Sequence, residues 1–505
     1  MRLTQTSRQL RESRMRIRGT LLILMICSGV YGGDISQSRP TIEDLMHEIE
    51  LLKASIAELK AEKKENSKAI KALKVAQEEN SAYIEEVEEH TENTETRLLE
   101  DKLKFGVGFK TTLDNFTKKY ASGRVVKNSN IWSNKLMLNA KADITDSMKF
   151  YARLSMYKYW GSSYVHTYSS YDNMQGRVPA DSSIYVERAY LDWFFNQNGK
   201  LPFALTIGRQ PSGDGPSYQF KDNTTRKATY SALLYDGAAD GIVATLNLSK
   251  LLHYKKTYLR FGYAKGFGYA ETANDIGNAY IGASNNDLKD TNVYGVFLDT
   301  SLPFIENSLV QFSASKMKDI VANPLDGSAV TNKNLGDMDI YGAMVEITNL
   351  KNMNLDLFAH YGYVKAHPNL NSYYGYGGLL NSPGDRLSKS GDAFWIGSRY
   401  GFGKRAKYKI GLEYNHGSKN WVTLTQGSFD PYNKLATRGD AYEAYVMYVA
   451  NRYLNIRLGY IRIDYDYTRS GWFVGEPLPL SIVSSTADSD LKNLESAYLK
   501  MNVKF

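Results

Sequence analysis

The sequence predicts an all-β protein, a 16-stranded antiparallel transmembrane β-barrel preceded by an α-helical coiled coil. Three observations carry that expectation. One heptad register, mostly apolar at a and d with polar layers at Lys63, Asn66, Gln77, Asn80, Thr91 and Thr94, holds without a break from Ile42 to Leu98. After about residue 100 the apolar period drops to two and recurs in sixteen segments. The connections between those segments alternate between short turns and long polar loops, the asymmetry of an outer-membrane barrel.

The chain has 505 residues, of which 23% are charged and 12% aromatic, with 38 Tyr against 19 Phe, 12 Pro and one Cys. Apart from a short run near the N-terminus, no apolar stretch approaches the roughly 18 residues of a spanning helix, which excludes a polytopic helical membrane protein. A polar average is compatible with a barrel, where only alternate residues meet lipid.

Residues 1–33 read as a secretory signal peptide. Arginines precede the apolar stretch Leu21 to Val30, and the small residues Gly32 and Gly33 follow it. Met15 opens a more usual basic region and is an alternative start. Cys27 lies inside the apolar stretch behind Ile26, where a lipoprotein signal has a small residue. A retained anchor is the competing reading, but ten residues are too few to span. Six arginines and one Glu in this segment supply +5 of the formal +8, so the cleaved chain carries about +3 and the case for a nucleic-acid partner disappears. Cleavage also removes the lone Cys, and with it any disulfide, thiolate metal site, Cys nucleophile or haem attachment.

Residues 34–100 form the expected coiled-coil segment. Ile42, Ile49, Ile56, Lys63, Ile70, Gln77, Ile84, Thr91 and Leu98 fall at a; Leu45, Leu52, Leu59, Asn66, Leu73, Asn80, Val87 and Thr94 fall at d. Ile at a with Leu at d leans toward two strands, whereas Asn at d suits a three-stranded rod, so the seam leaves dimer and trimer open. A single solvated helix is the alternative.

Residues 101–505 carry the barrel. In the C-terminal run Ala497, Leu499, Met501, Val503 and Phe505 share one face, and Lys500, Asn502 and Lys504 the other. The same alternation sets Leu136, Leu138, Ala140 and Ala142 against Asn139, Lys141 and Asp143. It places strands near 102–116, 131–145, 148–160, 183–196, 201–210, 240–250, 256–267, 290–303, 307–320, 338–350, 353–368, 391–403, 406–421, 439–453, 454–469 and 493–505. An even count returns both barrel ends to one side, the periplasm, together with the coiled coil. Tyr157, Tyr159, Trp160, Trp193, Trp395 and Trp421 are expected in the aromatic girdles. A soluble all-β chain is the alternative, with no reason for the loop asymmetry.

Strand phase then assigns the lumen. Lys141, Arg153, Arg188, Arg260, Arg399, Lys409 and Arg457 are the basic candidates, and Asp143, Asp192, Glu346, Asp356, Glu413 and Glu443 the acidic ones. Seven against six predicts a weakly charge-selective pore, and a bulge would invert individual assignments. No enzyme, cofactor or metal is expected. The histidines at 47, 90, 166, 253, 360, 367 and 416 lack metal spacing. His360 with Asp356 faces the lumen without a marked nucleophile, and GFGY and GFGK do not join a strand to a helix. Asn285, Asn286, Asp287 and Asp290 read as a solvated loop more readily than as a Ca²⁺ site.

The order of signal, heptads and a barrel beginning near FGVGFK, with GRQPSGDGPS (Gly208 to Ser217) and YDGAADG (Tyr235 to Gly241), resembles a family of porin-like outer-membrane proteins known as a domain of unknown function. The family's run commonly has a second Pro where this chain has Ser217. The layout is also similar to trimeric sugar porins with a periplasmic coiled coil, which implies a homotrimer. Phosphate-selective porins share it, but their arginine ladder is not evident here. General sixteen-stranded porins fold the loop after the fifth strand inward, which makes Arg209, Asp214, Lys221, Asp222, Arg226, Lys227 and Asp236 the expected constriction.

The function these readings predict is passive diffusion of small hydrophilic solutes or ions, with outer-membrane lipid, further copies of the chain and peptidoglycan as partners. The alternatives are an envelope tether or surface adhesin anchored by its barrel, and a barrel sheath around a periplasmic partner such as an electron-carrying protein.

Overall fold

A computed structural model describes residues 42–161, 182–211, 215–226, 228–236, 238–267, 290–321, 334–372, 377–424, 432–483 and 490–505. The signal at 1–33 and Asn285, Asn286 and Asp287 lie outside the described residues. Contacts divide the chain into two units, with the boundary between Glu95 and Thr96. No described helix is long and apolar enough to cross a membrane.

The first helix, α1 (Ile42–Lys102), has 61 residues and is roughly 90 Å long at 1.5 Å per residue. Glu, Lys and Ala support it by propensity, and neither Gly nor Pro interrupts it. Within this single chain Ile42, Ile49, Leu52, Ile56, Leu59, Ile70 and Leu73 of the heptad seam are exposed.

The second unit contains sixteen strands: β1 (Leu103–Tyr120), β2 (Val125–Thr145), β3 (Met148–Tyr159), β4 (Tyr185–Phe195), β5 (Phe203–Pro211), β6 (Ala238–Asn247), β7 (Tyr258–Phe267), β8 (Thr291–Thr300), β9 (Ser308–Lys318), β10 (Gly336–Ile347), β11 (Leu355–Pro368), β12 (Lys389–Phe402), β13 (Tyr408–Gly417), β14 (Gly439–Val449), β15 (Leu454–Tyr465) and β16 (Leu491–Lys504). Each pairs antiparallel with its neighbours in sequence, and β1 pairs with β16 to close the barrel. Closure removes every sheet edge, which a β structure in lipid requires.

Each expected strand corresponds to one observed strand. The first hairpin is longer than the alternation indicated, because β1 and β2 continue to residues 120 and 125 and leave only 121–124 as a turn. Turns after even strands are short, for example 146–147, 348–354 and 450–453; the other odd-strand connections are long, for example 160–184, 212–237 and 466–490.

The faces follow the expected phase. On β16 Leu499 is exposed outward, whereas Ser496, Tyr498 and Asn502 are buried inward. The outer surface carries Leu138, Leu154, Val186, Ile207, Ile242, Phe261, Ile396 and Leu412. Two aromatic belts flank it. Tyr400, Phe402, Tyr408 and Tyr448 stack in sequence at the short-turn end, while Phe394, Tyr414 and Tyr442 pack nearer the long loops. Trp160 and Trp193 are exposed as expected of girdle residues, but Tyr157, Trp395 and Trp421 are buried. Trp395 points inward because its indole N–H reaches the Glu413 carboxylate at 3.0 Å, a partner that lipid does not offer.

The strands also interlock through glycine. Gly411 lies directly opposite Tyr445, and a Cβ there would sit 2.1 Å from the tyrosine ring. Gly459 accommodates Tyr498 in the same way. Missing side chains on one strand thus make room for large inward rings on the next.

Candidate functional site: the lumen and its inward loop

The loop between β5 and β6 folds into the barrel. It carries a short helix, α2 (Tyr218–Asp222), whose Gln219, Phe220 and Lys221 are buried. The last carbonyls of a helix lack internal partners, and here cationic side chains from the wall supply them. Arg399 Nη1 donates to the Phe220 carbonyl at 2.6 Å, Arg457 donates to that of Lys221, and Lys504 Nζ donates to that of Asn223 at 3.3 Å. The Asp222 carboxylate pairs with Lys110 and lies 3.7 Å from Lys500 and 3.9 Å from Arg457.

Beside α2, Lys221 Nζ lies 3.0 Å from Glu443 and 3.7 Å from Glu413. Lys434, from the loop between β13 and β14, reaches Glu413 at 2.6 Å and also pairs with Glu443. The Tyr498 hydroxyl donates to Glu443 at 2.6 Å. Two lysines therefore meet two carboxylates out of water, and the balance of charge makes that burial tolerable.

On the other side of α2, Ser217 Oγ donates to Glu346 at 2.8 Å, and Gln219 also donates to Glu346. His360 lies between two loop serines, with Nε2 3.2 Å from Ser217 Oγ and Nδ1 2.7 Å from Ser231 Oγ. The arrangement that satisfies every group has Ser231 donating to Nδ1 and Nε2–H donating to Ser217, so the Ser217 proton faces Glu346 rather than the imidazole. The set clasps the loop and does not present an activated hydroxyl. Among the described residues no three His, Cys, Asp or Glu side chains converge as metal ligands.

The rest of the loop joins an apolar core inside the barrel. Leu233, Leu234 and Tyr235 pack with Met338, Ile340, Phe358, Val364 and Trp395 of the β10–β12 wall, with Leu379 and Leu380, with Trp421 and Leu435, and with Val474. These last five come from the loops after β11, β13 and β15. Leu424 N–H donates to the Leu234 carbonyl at 3.0 Å, and Asp236 N–H to that of Leu424 at 3.0 Å. Nearer the loop surface, the Ser382 hydroxyl and Lys419 hold the Glu476 carboxyl below the usual glutamate range, joining three loops.

Of the expected constriction residues, Lys221, Asp222 and Asp236 lie within the barrel, Arg226 is exposed, and Asp214 and Lys227 lie outside the described residues. Arg209 does not join them. It belongs to β5, opposite Ala189 and Asp240 on the same outward face as Ile207, and its guanidinium is 3.5 Å from Asp240.

The wall candidates all face inward, most of them in specific pairs. Arg153 bonds Asn139 and Glu187, at 2.7 and 3.1 Å. Arg188 is 3.4 Å from Glu187, and Asp192 accepts from Thr206 at 2.6 Å. Arg260 pairs with Asp299 at 2.8 Å and Arg399 with Asp356 at 2.7 Å, while Lys409 donates to Asn223 Oδ1 at 2.7 Å. Lys141 is 3.1 Å from Asp143.

Phase alone missed Glu187. The register shifts between Arg153 and Leu154, so Glu187 and Arg188 both turn inward, and Lys135 meets Glu187 at 2.9 Å. Lys434 was missed because it enters from a loop, which has no phase.

A closed sixteen-stranded antiparallel barrel with a girdled apolar exterior and a charged interior is a porin-like outer-membrane β-barrel. Residues 125–505 match the family described as "Protein of unknown function (DUF3373)", and the chain belongs to that family. Its fold is similar to that of OprB from Pseudomonas putida, at 12% identity and a TM-score of 0.45, covering 82% of this chain and 96% of that one. It is also similar to OmpT, expressed in the outer membrane of Vibrio cholerae, at 12% identity and a TM-score of 0.42, covering 80% and 97%. The trimer form of that OmpT matches at 13% identity and a TM-score of 0.40, covering 79% and 99%. No curated protein matches by sequence.

Proposed function

We propose that this chain is an outer-membrane diffusion channel for small hydrophilic solutes, narrowed by the loop between β5 and β6. The observation that carries the reading is α2, held inside the barrel by Arg399, Arg457, Lys110 and Glu443. With the loop fixed to the β8–β1 side of the lumen, passage on this reading runs along the β2–β7 side, and the charges there select among solutes. On this reading the short-turn end faces the periplasm with α1, and α1 pairs its exposed Ile and Leu seam with two further copies to form a trimer. Each apolar side chain so buried contributes about 1.5–3 kcal/mol. The rod reaches toward peptidoglycan.

The test is single-channel conductance of the detergent-extracted protein in a planar bilayer under a KCl gradient. Discrete steps in groups of three are expected. Deleting residues 42–95 should leave conducting barrels that no longer associate as trimers. Replacing the exposed Arg226 by Glu should move the reversal potential toward cation preference, and an unmoved potential would place Arg226 away from the passage.

A second reading has its own support. The apolar core inside the barrel favours a filled barrel that anchors the rod as an envelope tether, or one that sheathes a periplasmic partner. An inserted but silent barrel, with envelope integrity lost when the rod is deleted, would favour the tether.

A further inference from the structure

The inward charges are balanced as a tally, but the strand register separates them in space. At the short-turn end Lys104 of β1 lies directly opposite Lys141 of β2, and Lys149 of β3 lies directly opposite Asp143. Directly opposed residues share a face. All four share the phase of the buried Lys110, Lys135, Met137 and Arg153, while Phe105, Leu138 and Leu154 face outward.

One carboxylate thus serves three ammonium groups: Asp143 lies 3.1 Å from Lys141, 3.5 Å from Lys104 and 3.9 Å from Lys149. Like charges directly opposite one another are unfavourable in a sheet unless something neutralises them. Asp143 and Asp192, which lies directly opposite Lys149, do so only in part, since two carboxylates face three ammonium groups and Asp192 also accepts from Thr206.

The excess continues along the adjoining wall. Lys504 of β16 and Lys409 of β13 both bond Asn223, a neutral group. Asp222 is shared by Lys110, Lys500 and Arg457. Glu413 and Glu443 add no acidity, being matched by Lys221 and Lys434. Strands β13 to β16 and β1 to β3 are consecutive around the barrel, so the surplus of positive charge is contiguous. Across the lumen, Asp299 and Asp356 are each matched by one arginine.

Solvent reaches the outermost part of this wall. The side chains of Lys104, Lys141 and Lys149 are 66%, 35% and 36% exposed, against 4% for Lys110. A low-dielectric wall around charges of one sign focuses their field into the mouth. From this geometry we infer that Lys104, Lys141 and Lys149 form a binding site for small multivalent oxyanions, solutes bearing phosphate or several carboxylates, at the short-turn mouth of the barrel. An oxyanion there takes over the lysine charge that Asp143 and Asp192 leave uncompensated, and charge-assisted N–H···O bonds hold it. That such anions are also the solutes passed rests on the channel reading; the binding site does not.

The test is calorimetric titration of the full chain in detergent with inorganic tripolyphosphate, at low and at physiological ionic strength. Binding is expected at low salt and should weaken as salt rises, because the Debye length falls to about 8 Å at 0.15 M. K104Q/K141Q/K149Q should lose at least tenfold in affinity. K316Q/K365Q, which removes exposed lysines from the outward face, should change it less than twofold. A retained heat-modifiable band on electrophoresis checks that the triple variant is folded, and K141Q alone, expected to lose about threefold, serves if it is not. No binding by the wild type, unchanged binding in the lysine variants, or an equal loss in K316Q/K365Q overturns the site. Binding by a barrel that carries no current supports the site and counts only against the channel.

Discussion

Replacing Glu443 by alanine is expected to destabilise the barrel by about 3–5 kcal/mol, the usual cost of leaving a buried charge without its partner. If the barrel is the diffusion channel proposed above, the substitution should also raise single-channel conductance. Glu443 accepts from Lys221 at 3.0 Å, from Tyr498 at 2.6 Å and from Lys434. Without it Glu413 alone faces two ammonium groups, in a region where all three side chains are almost inaccessible. Lys221 is the attachment of α2 that lies nearest to Glu443, so the relief open to the molecule is to withdraw the loop. Urea unfolding of the refolded barrel reads the first effect, and bilayer recording the second.

A double substitution separates charge from packing. Replacing Lys221 and Glu443 together by methionine should cost less than removing Glu443 alone, because a matched pair exchanged for apolar side chains of similar size is often near neutral. If the single and double variants lost the same stability, the network would not be the element that holds the loop.

The strands were legible because the bilayer imposes their pattern. Every second residue must suit lipid, so β2, β7 and β16 show their alternation in the chain itself. The pattern fades where the constraint ends. The far halves of β1 and β2, with Lys118, Lys119, Lys127 and Asn128, are polar on both faces and carry no signal for a strand. Glu187 escaped because a bulge adds one residue that alternation cannot count.

Trp395 and Trp421 were misplaced for a different reason. An amphipathic ring suits an interfacial girdle as well as a buried site with a hydrogen-bond acceptor, and position in the chain does not distinguish Trp193 from Trp395. The apolar core inside the barrel was signalled in part. In β10 and β11 Met338, Ile340, Met344, Phe358, Val364 and Ala366 occupy inward phase, so these strands are apolar on both faces. Such strands are covered on both sides, and here the inner cover is made of loops. Which loops they are depends on contacts between residues far apart in the chain, such as Leu234 with Leu424.

That core carries the second large effect. Trp421→Ala is expected to cost about 3–5 kcal/mol, as truncation of a buried aromatic commonly does. Trp421 is fully buried and packs over Gly362 of β11, where an added Cβ would lie 2.6 Å from the indole. Its N–H donates to the Leu435 carbonyl at 2.8 Å. Its own carbonyl accepts from Arg438 Nε at 3.0 Å, and the same guanidinium also donates to the carbonyls of Thr468, Arg469 and Trp472. The ring therefore joins the loop after β13 to the β11 wall, while the Arg438 guanidinium bound at its carbonyl joins that loop to the one after β15. Truncation opens a cavity beside Gly362 and leaves the Leu435 carbonyl without its donor. The loops should loosen together, with faster proteolysis within 418–438 and 466–483, while the strands persist because their hydrogen bonds do not depend on the core. A channel closed mainly by this core would conduct more in Trp421→Ala than in Glu443→Ala. A channel narrowed mainly by α2 would show the reverse order, so comparing the two conductances identifies which structure sets the passage.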